Sequence, residues 1–266
     1  MIKLAVIIIN HNHGEMIKKS IESLYEQKTA DPFMVFVVNN TPDDGTRTWL
    51  MDDYPQVCLL ENPSPKGFAS NVNQVICQNP NFDFYLLLNP DVICLSGMVD
   101  DLMMVMTEND RIGIAGPKLL NFDDSVQPFR RRFASFRVLI YRALHIDKLF
   151  KHLPAVDLYL MNKDTFTGIT EVDWITGAVM LLRKTALDQV GLMDERFFLY
   201  FEDEDLCCRM WQQGWTVCYV PWAKAYHAHL AEGRTKIFSK ANTYHLQSAL
   251  KMLIKYRGKI STCKEN

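Results

Sequence analysis

The chain has 266 residues, of which 48% are hydrophobic and 23% charged, and its formal net charge is −2. This balance suits one large α/β domain or two small ones, and it lacks the basic excess that a nucleic-acid partner would favour. No apolar run approaches the ~20 residues needed to span a bilayer.

The opening stretch, MIKLAVIIINHNHG, begins like a secretory signal. Its apolar core is short, however, it runs into Asn10, His11, Asn12 and His13, and no small-residue cleavage site follows. It reads as a first buried strand over 4–9, in a protein expected in the cytoplasm. Residues 15–27 carry Ile17, Ile21, Leu24 and Tyr25 at helical spacing. Strands are then predicted at 33–38, 57–60, 83–88 and 112–116, and helices at 45–53, 67–78 and 96–107. Buried strands alternating with helices predict a mostly parallel sheet flanked by helices. In such sheets ligands sit beyond the carboxyl ends of the strands. Three of those ends are polar here: NHNHG, NNTPDDGT and NPD.

Residues 117–170 are less regular, with three arginines at 130–132, then Arg137 and Arg142, and read as loops around a short basic helix. VDWITGAVMLLRK, 172–184, predicts one strand. Residues 197–215 predict a turn entering a helix that stops at Gly214, and 216–220 another strand. The tail, 235–257, predicts an amphipathic helix, with Ile237, Phe238, Ala241, Leu246, Leu250, Leu253 and Ile254 on its apolar side and five basic residues along it: Lys236, Lys240, Lys251, Lys255 and Arg257. Such a helix can lie peripherally on an anionic membrane or dock on the protein's own core. The seven cysteines are odd in number and scattered, with no C-x-x-C, which suits reduced core thiols better than a disulfide framework or a zinc site.

Asp91 follows Asn89 and Pro90 at a strand end, where it is either a turn residue or a ligand for a hard cation. His227 and His229 follow a later strand, and a carboxylate with an imidazole suits Mn²⁺ or Mg²⁺ held mainly by a substrate's phosphates. Glu202 to Asp205 are four consecutive acids at a helix start, where the helix dipole stabilises them. They are first-turn acids, or one of them is a general base walled by Phe197, Phe198, Tyr200 and Phe201. Asp203 and Asp205 point about 200° apart around a helix axis. Asp205 can then pair with Arg209 for about 0.3–0.5 kcal/mol. Gly67 opens a helix whose backbone N–H groups can face a phosphate or sugar, or simply start a helix. The arginine run is a solvated face or a diphosphate grip.

In order, VIIINHN, VVNNTPDDGT, ENPSPKGFASNVN, LLLNPDV, VDWITGAVMLLRK, GLMDERFFLYFEDEDLCCRMWQQGW and YVPWAKAYHAH resemble the family-2 glycosyltransferases. More narrowly they resemble the rhamnosyltransferase-like branch that builds bacterial cell-surface polysaccharides. The resemblance covers residues 2–230 and implies a GT-A (Rossmann-like) fold. It implies a nucleotide-sugar-binding half, 1–116, an acceptor-binding and catalytic half, 117–230, and a helical tail, 231–266. It assigns Asn10, Asn12, Asn39, Gly67, Phe68, Asn71, Asn89 and Asp91 to the donor. Trp174, Gly177 and Glu202 fall on the acceptor side, Asp203 matches the catalytic base, and Asp91 with His227 holds Mn²⁺ or Mg²⁺. Asn39 stands where the family usually has an aspartate, and Asn89 replaces the first acid of the D-x-D-type metal motif. The implied reaction is inverting transfer, most simply of L-rhamnose from dTDP-L-rhamnose to a lipid-linked or growing saccharide. A UDP-hexose or UDP-N-acetylhexosamine donor is the alternative, and a non-catalytic nucleotide-sugar-binding protein a second one. The presence of both Asp91 and Asp203 argues against the last.

Overall fold

The structure is a computed structural model that describes residues 3–41, 44–135, 138, 153–161, 166–228, 240–257, 260 and 263–264. The short basic helix expected around Arg137 and Arg142 lies outside the described residues, as do His229, Lys236, Ile237 and Phe238.

Alternation begins as the sequence predicts. Strand β1 (Leu4–Asn10) is buried at all seven positions, so both its faces are covered. Helix α1 (Glu15–Tyr25) follows, burying Ile17, Ile21 and Leu24 on one face. Then come β2 (Phe33–Asn39), α2 (Thr46–Asp53), β3 (Cys58–Glu61), α3 (Phe68–Gln78), β4 (Phe84–Leu88) and a short β5 (Val92–Cys94). Helix α4 (Met98–Glu108) leads to β6 (Ile112–Leu120), which is longer than the sequence suggests. The second half holds β7 (Arg130–Arg131), α5 (Pro154–Leu160), β8 (Thr170–Glu171), β9 (Trp174–Ile175) and β10 (Val179–Arg183). It closes with α6 (Lys184–Val190), α7 (Glu202–Gln212), β11 (Thr216–His227) and α8 (Lys240–Lys255).

One sheet runs β3-β2-β1-β4-β10-β6-β11-β5, with β8 beside β11. Strands β3, β2, β1 and β4 are parallel. Strand β10 runs against β4 and β6, and β11 runs with β6. Six of the nine strands therefore share one direction, giving a single α/β domain with a mostly parallel central sheet. Because β10 inserts between β4 and β6, residues 1–116 and 117–230 contribute to the same sheet.

Three expectations need correction. The single strand expected over 172–184 is broken at Thr176–Ala178, between β9 and β10. The strand expected to stop at residue 220 continues through Pro221 to His227, with a register irregularity between Val220 and Lys224 that accommodates the proline. The cysteines are not all reduced: Cys208 on α7 and Cys263 in the tail form a disulfide, with Cα atoms 5.4 Å apart. It joins the C-terminal segment to α7.

Helix α8 also docks on the domain. Ser248, Ala249 and Met252 are buried, and Ser248 Oγ donates to the Leu199 carbonyl at 2.9 Å. Lys255 Nζ reaches Asp194 at 2.7 Å and pairs with Asp205. The Tyr256 hydroxyl donates to Asp205 Oδ1 at 2.8 Å. Among the described residues, no helix is long and apolar enough to cross a membrane.

Candidate functional site

Three groups of polar residues collect along the carboxyl edge of the parallel strands. The first joins β1 and β2, where Asn10 and Asn39 are register partners and both fully buried. Asn10 Nδ2 donates to Asn39 Oδ1 at 3.0 Å, to Asp44 Oδ2 at 2.9 Å and to Thr46 Oγ1 at 3.0 Å. Asn39 Nδ2 donates to Asp44 Oδ1 at 3.1 Å. Asp44 therefore fixes both amides and brings a carboxylate to the edge from which the resemblance expects an acid at position 39. Burial alone would push the Asp44 carboxyl up; the Thr46 N–H and hydroxyl, Asn39 and Asn10 outweigh it and hold the group below its usual range. Asn12 lies outside this network, exposed and in a left-handed turn with φ 60°.

The second group lies beside it. Asn71 Oδ1 accepts from Asn62 Nδ2 at 2.6 Å, and Asn40 bridges to Lys66 through both of its amide atoms. Gly67 and Phe68 start α3, but the Phe68 N–H donates to the Phe198 carbonyl at 3.0 Å. A Cβ at Gly67 would stand 2.7 Å from that same oxygen. The sequence leaves Gly67 open between a phosphate-facing turn and a plain helix entry. The structure gives a third reason, close backbone approach by the Phe198 loop.

The third group joins the segment Asn89-Pro90-Asp91 to α7. The Asn89 N–H donates to the Ala178 carbonyl at 2.8 Å, which sets Asn89-Pro90-Asp91 beside the break between β9 and β10. Gly177 in that break lies between the Phe68 ring and Asp203: its Cβ position is 3.6 Å from one and 3.7 Å from the other. The Gly177 N–H donates to Asp203 Oδ2 at 2.9 Å, and the Glu204 N–H to Asp203 Oδ1 at 2.8 Å. Asp203 is enclosed by protein yet keeps part of its surface accessible. Burial pushes its carboxyl up, and the two N–H groups and the nearby Arg131 guanidinium only partly offset this. Adjacent Glu202 is buried, and its Oε2 has no hydrogen-bond partner among the described residues. Burial first, then the Asp203 charge, hold the Glu202 carboxyl well above its ordinary range. Tyr200 and Phe201, just before α7, both adopt positive φ, a conformation costly for aromatic residues.

Asp91 and His227 meet. They are both buried, with Asp91 Oδ1 3.4 Å from His227 Nε2. Strand β5 pairs with the end of β11, Val92 opposite His227, and this pairing brings two distant stretches of chain together. Gln127 sets the imidazole. Its Nε2 donates to the His227 carbonyl and to Asn121 Oδ1, both at 2.7 Å, which fixes Oε1 as the acceptor facing His227 Nδ1 at 2.9 Å. The Nδ1 proton is thereby assigned, and in the neutral ring the Nε2 lone pair faces the carboxylate. A cation between the carboxylate and this lone pair would be held by both. Adjacent ligands of an octahedral ion with bonds of about 2.1 Å lie about 3 Å apart, so the pair fits Mn²⁺ or Mg²⁺. Among the described residues no group of three or more His, Cys, Asp or Glu side chains is arranged to hold a metal. Remaining ligands would have to come from elsewhere, such as substrate oxygens and water.

Trp174 is buried, its indole N–H donating to the Arg132 carbonyl at 2.9 Å and its ring covered by the Arg131 guanidinium 4.9 Å from the centroid. Its strand, β9, leads into the break at Thr176–Ala178. Arg130 is enclosed by Phe129, Phe166 and Tyr219. The arginine run is thus not a plain solvated face. Sequence reasoning missed the structural parts played by Asp44, Asn62 and Gln127. Asp44 lay within a polar strand end already noted, whereas nothing local marks Gln127 as the partner of a histidine 100 residues away.

Comparison with known proteins bears on the fold and the family. The chain is 30% identical over 236 residues to the N-acetylglucosaminyl-diphospho-decaprenol L-rhamnosyltransferase of Mycobacterium tuberculosis (strain CDC 1551 / Oshkosh), covering 84% of this chain and 75% of that one. It is 27% identical over 258 residues to rhamnosyltransferase WbbL of Escherichia coli (strain K12), covering 95% and 93%. Among solved structures it resembles the mannosyltransferase PcManGT from Pyrobaculum calidifontis in complex with GDP-Man and Mn²⁺, with a TM-score of 0.59 at 13% identity, over 97% of this chain and 75% of that one. It also resembles GalNAc-T7 with UDP, GalNAc and Mn²⁺, with a TM-score of 0.63 at 12% identity, over 85% and 44%. The fold is GT-A. The model of the glycosyltransferase-like family 2 matches residues 3–243, and the chain belongs to that family.

Proposed function

We propose that the chain is an inverting rhamnosyltransferase. It moves L-rhamnose from dTDP-L-rhamnose to a hydroxyl of a lipid-linked or growing saccharide, in the cytoplasm, during synthesis of a bacterial surface polysaccharide such as O-antigen, capsule or cell wall. The observation that carries the reading is the placement of Asp203, a partly accessible carboxylate one glycine away from the segment that holds Asp91. The two relatives named as rhamnosyltransferases support the sugar.

Asn10, Asn39 and Asp44 form the nucleoside end of the donor site, and Asn71, Gly67 and Phe68 its flank. Asp91 and His227 would hold the divalent ion. When bound, that ion supplies positive charge to the donor's diphosphate. Asp203 accepts the proton of the acceptor hydroxyl as its oxygen forms a bond to the anomeric carbon. The bond from that carbon to the diphosphate oxygen breaks from the opposite side, so configuration inverts and the nucleoside diphosphate leaves with the electron pair. Gly177 leaves room beside Asp203 and, through its N–H, keeps the carboxylate aimed.

A UDP-hexose or UDP-N-acetylhexosamine donor is the second reading. It is kept open by Asn39, whose amide suits an edge that thymine and uracil share. The test is a panel of nucleotide sugars with Mn²⁺ or Mg²⁺ and a lipid-linked acceptor, scored by release of nucleoside diphosphate. Release from dTDP-L-rhamnose is expected, lost with EDTA and nearly lost in Asp91→Ala at unchanged melting temperature. Release only from a UDP-sugar gives the second reading, and full activity in metal-free buffer removes the metal.

A further inference from the structure

Helix α8 presents two different faces. One docks, through Ser248, Ala249 and Met252. On the opposite face Leu246, Leu250 and Ile254 are 60%, 58% and 69% exposed. Their spacing of four residues makes them one continuous stripe. Burial on the protein's own core thus accounts for one side of this helix and leaves an aliphatic ridge on the other. The helix contains no acidic residue. Exposed Lys240 lies about 80° around the axis from Leu250 and exposed Arg257 stands just past the end of the stripe, whereas Lys251, about 100° from Leu250, donates through Nζ to the Arg196 carbonyl at 2.6 Å.

We infer that this face of α8 docks on an anionic lipid surface. An apolar ridge flanked by basic side chains, with no acid among them, enters the boundary between head groups and acyl chains and leaves its cations among the anionic head groups. A second copy of the chain fits less well. Three partly exposed aliphatic side chains supply far less than the about 800 Å² per partner of a stable dimer, and two such basic helices would repel. The helix is also joined to the candidate site. Tyr244 packs on Phe198 with ring centroids 4.7 Å apart, and Lys255 and Tyr256 bind Asp205, two residues beyond Asp203. A membrane under α8 would therefore lie on the side where α7 begins.

The test reads no catalysis and stands apart from the proposed reaction. The full chain is floated with phosphatidylcholine vesicles containing about one third phosphatidylglycerol, at low and high salt. The unaltered protein should float at low salt and less at high salt. Replacing Leu246, Leu250 and Ile254 together by serine should lower the bound fraction at least about tenfold, because the partition rests on apolar burial. A second variant, Lys240→Glu with Arg257→Glu, should weaken binding to anionic vesicles while the melting temperature stays unchanged. Failure of the unaltered chain to float, or equal flotation of the serine variant, overturns the inference. So does a concentration-dependent dimer that the serine variant dissociates.

Discussion

Glu202 and Asp203 are neighbours in one enclosed site, and two negative charges there would repel. The geometry says which group keeps the charge. Asp203 accepts two backbone N–H bonds, whereas Glu202 Oε2 accepts none among the described residues. The proton goes to Glu202. A carboxyl raised on folding binds a proton that the unfolded chain has already released. Its stabilising contribution is whole below the ordinary glutamate value of about 4.3 and is lost as pH climbs toward the raised value. Glu202→Gln should therefore flatten the stability profile above that point, which melting temperatures measured across pH would show. An unchanged slope would mean that Glu202 titrates normally. Asp203→Asn keeps the shape and the accepting oxygen but cannot take a proton. We expect kcat to fall by roughly 10²–10⁴-fold with donor affinity nearly intact, as single-turnover kinetics and donor titration would measure. Normal turnover would move the base elsewhere.

At the scale of elements, α7 does two jobs on two faces. Asp203 looks toward Gly177, while Asp205, fully buried, looks the other way and accepts from Arg209 Nε at 2.9 Å and from the Tyr256 hydroxyl, with Lys255 also paired to it. Periodicity alone separates the two acids, and the pairing of Asp205 with Arg209 follows from their spacing of four. What spacing could not reveal is the arrival of α8, which changes the energetics. An exposed pair is worth a few tenths of a kcal/mol, but removing the acid from this buried network takes away the only carboxylate paired with Arg209 among the described residues and leaves Lys255 with Asp194 alone. Asp205→Asn should cost about 3 kcal/mol, read as a lower urea midpoint, rather than the small loss expected of a surface pair. A change under about 0.5 kcal/mol would show that the network is not stabilising. The break at Thr176–Ala178 was hidden for a related reason. The run VDWITGAVMLLRK is apolar on both sides of Thr176 and Gly177, so its hydropathy carries on past the point where pairing stops, and the interruption falls where Gly177 meets Asp203.

For the whole molecule, the sheet's parallel half was legible because β1, β2 and β4 are uninterrupted apolar runs that end in polar residues, and that pattern dictates burial on both faces. Asp91 could be marked as a candidate from its strand end. Its meeting with His227 could not, because it depends on β5 pairing with a strand that the sequence predicts to stop at residue 220 and that instead continues through Pro221. Cysteine arithmetic failed likewise. An odd count without a spaced motif argues against a framework but is silent about one bond made when a tail folds back. That bond closes a loop with a sequence separation of 55 between Cys208 and Cys263, and loop-closure entropy gives it about 4 kcal/mol in the oxidised protein. The loop contains β11 and α8, so the bond reinforces the junction that Asp205 also holds. Titrating thiols in denaturant should find five in the oxidised chain and seven after reduction. Cys263→Ala, or reduction, should lower the melting temperature while kcat at temperatures well below melting stays close to that of the oxidised chain, since Cys208 faces the core beyond the first turn of α7. Seven reactive thiols before reduction would remove the bond, and a melting temperature unmoved by Cys263→Ala would leave docking of the tail to the Asp205 cluster and the buried face of α8 alone.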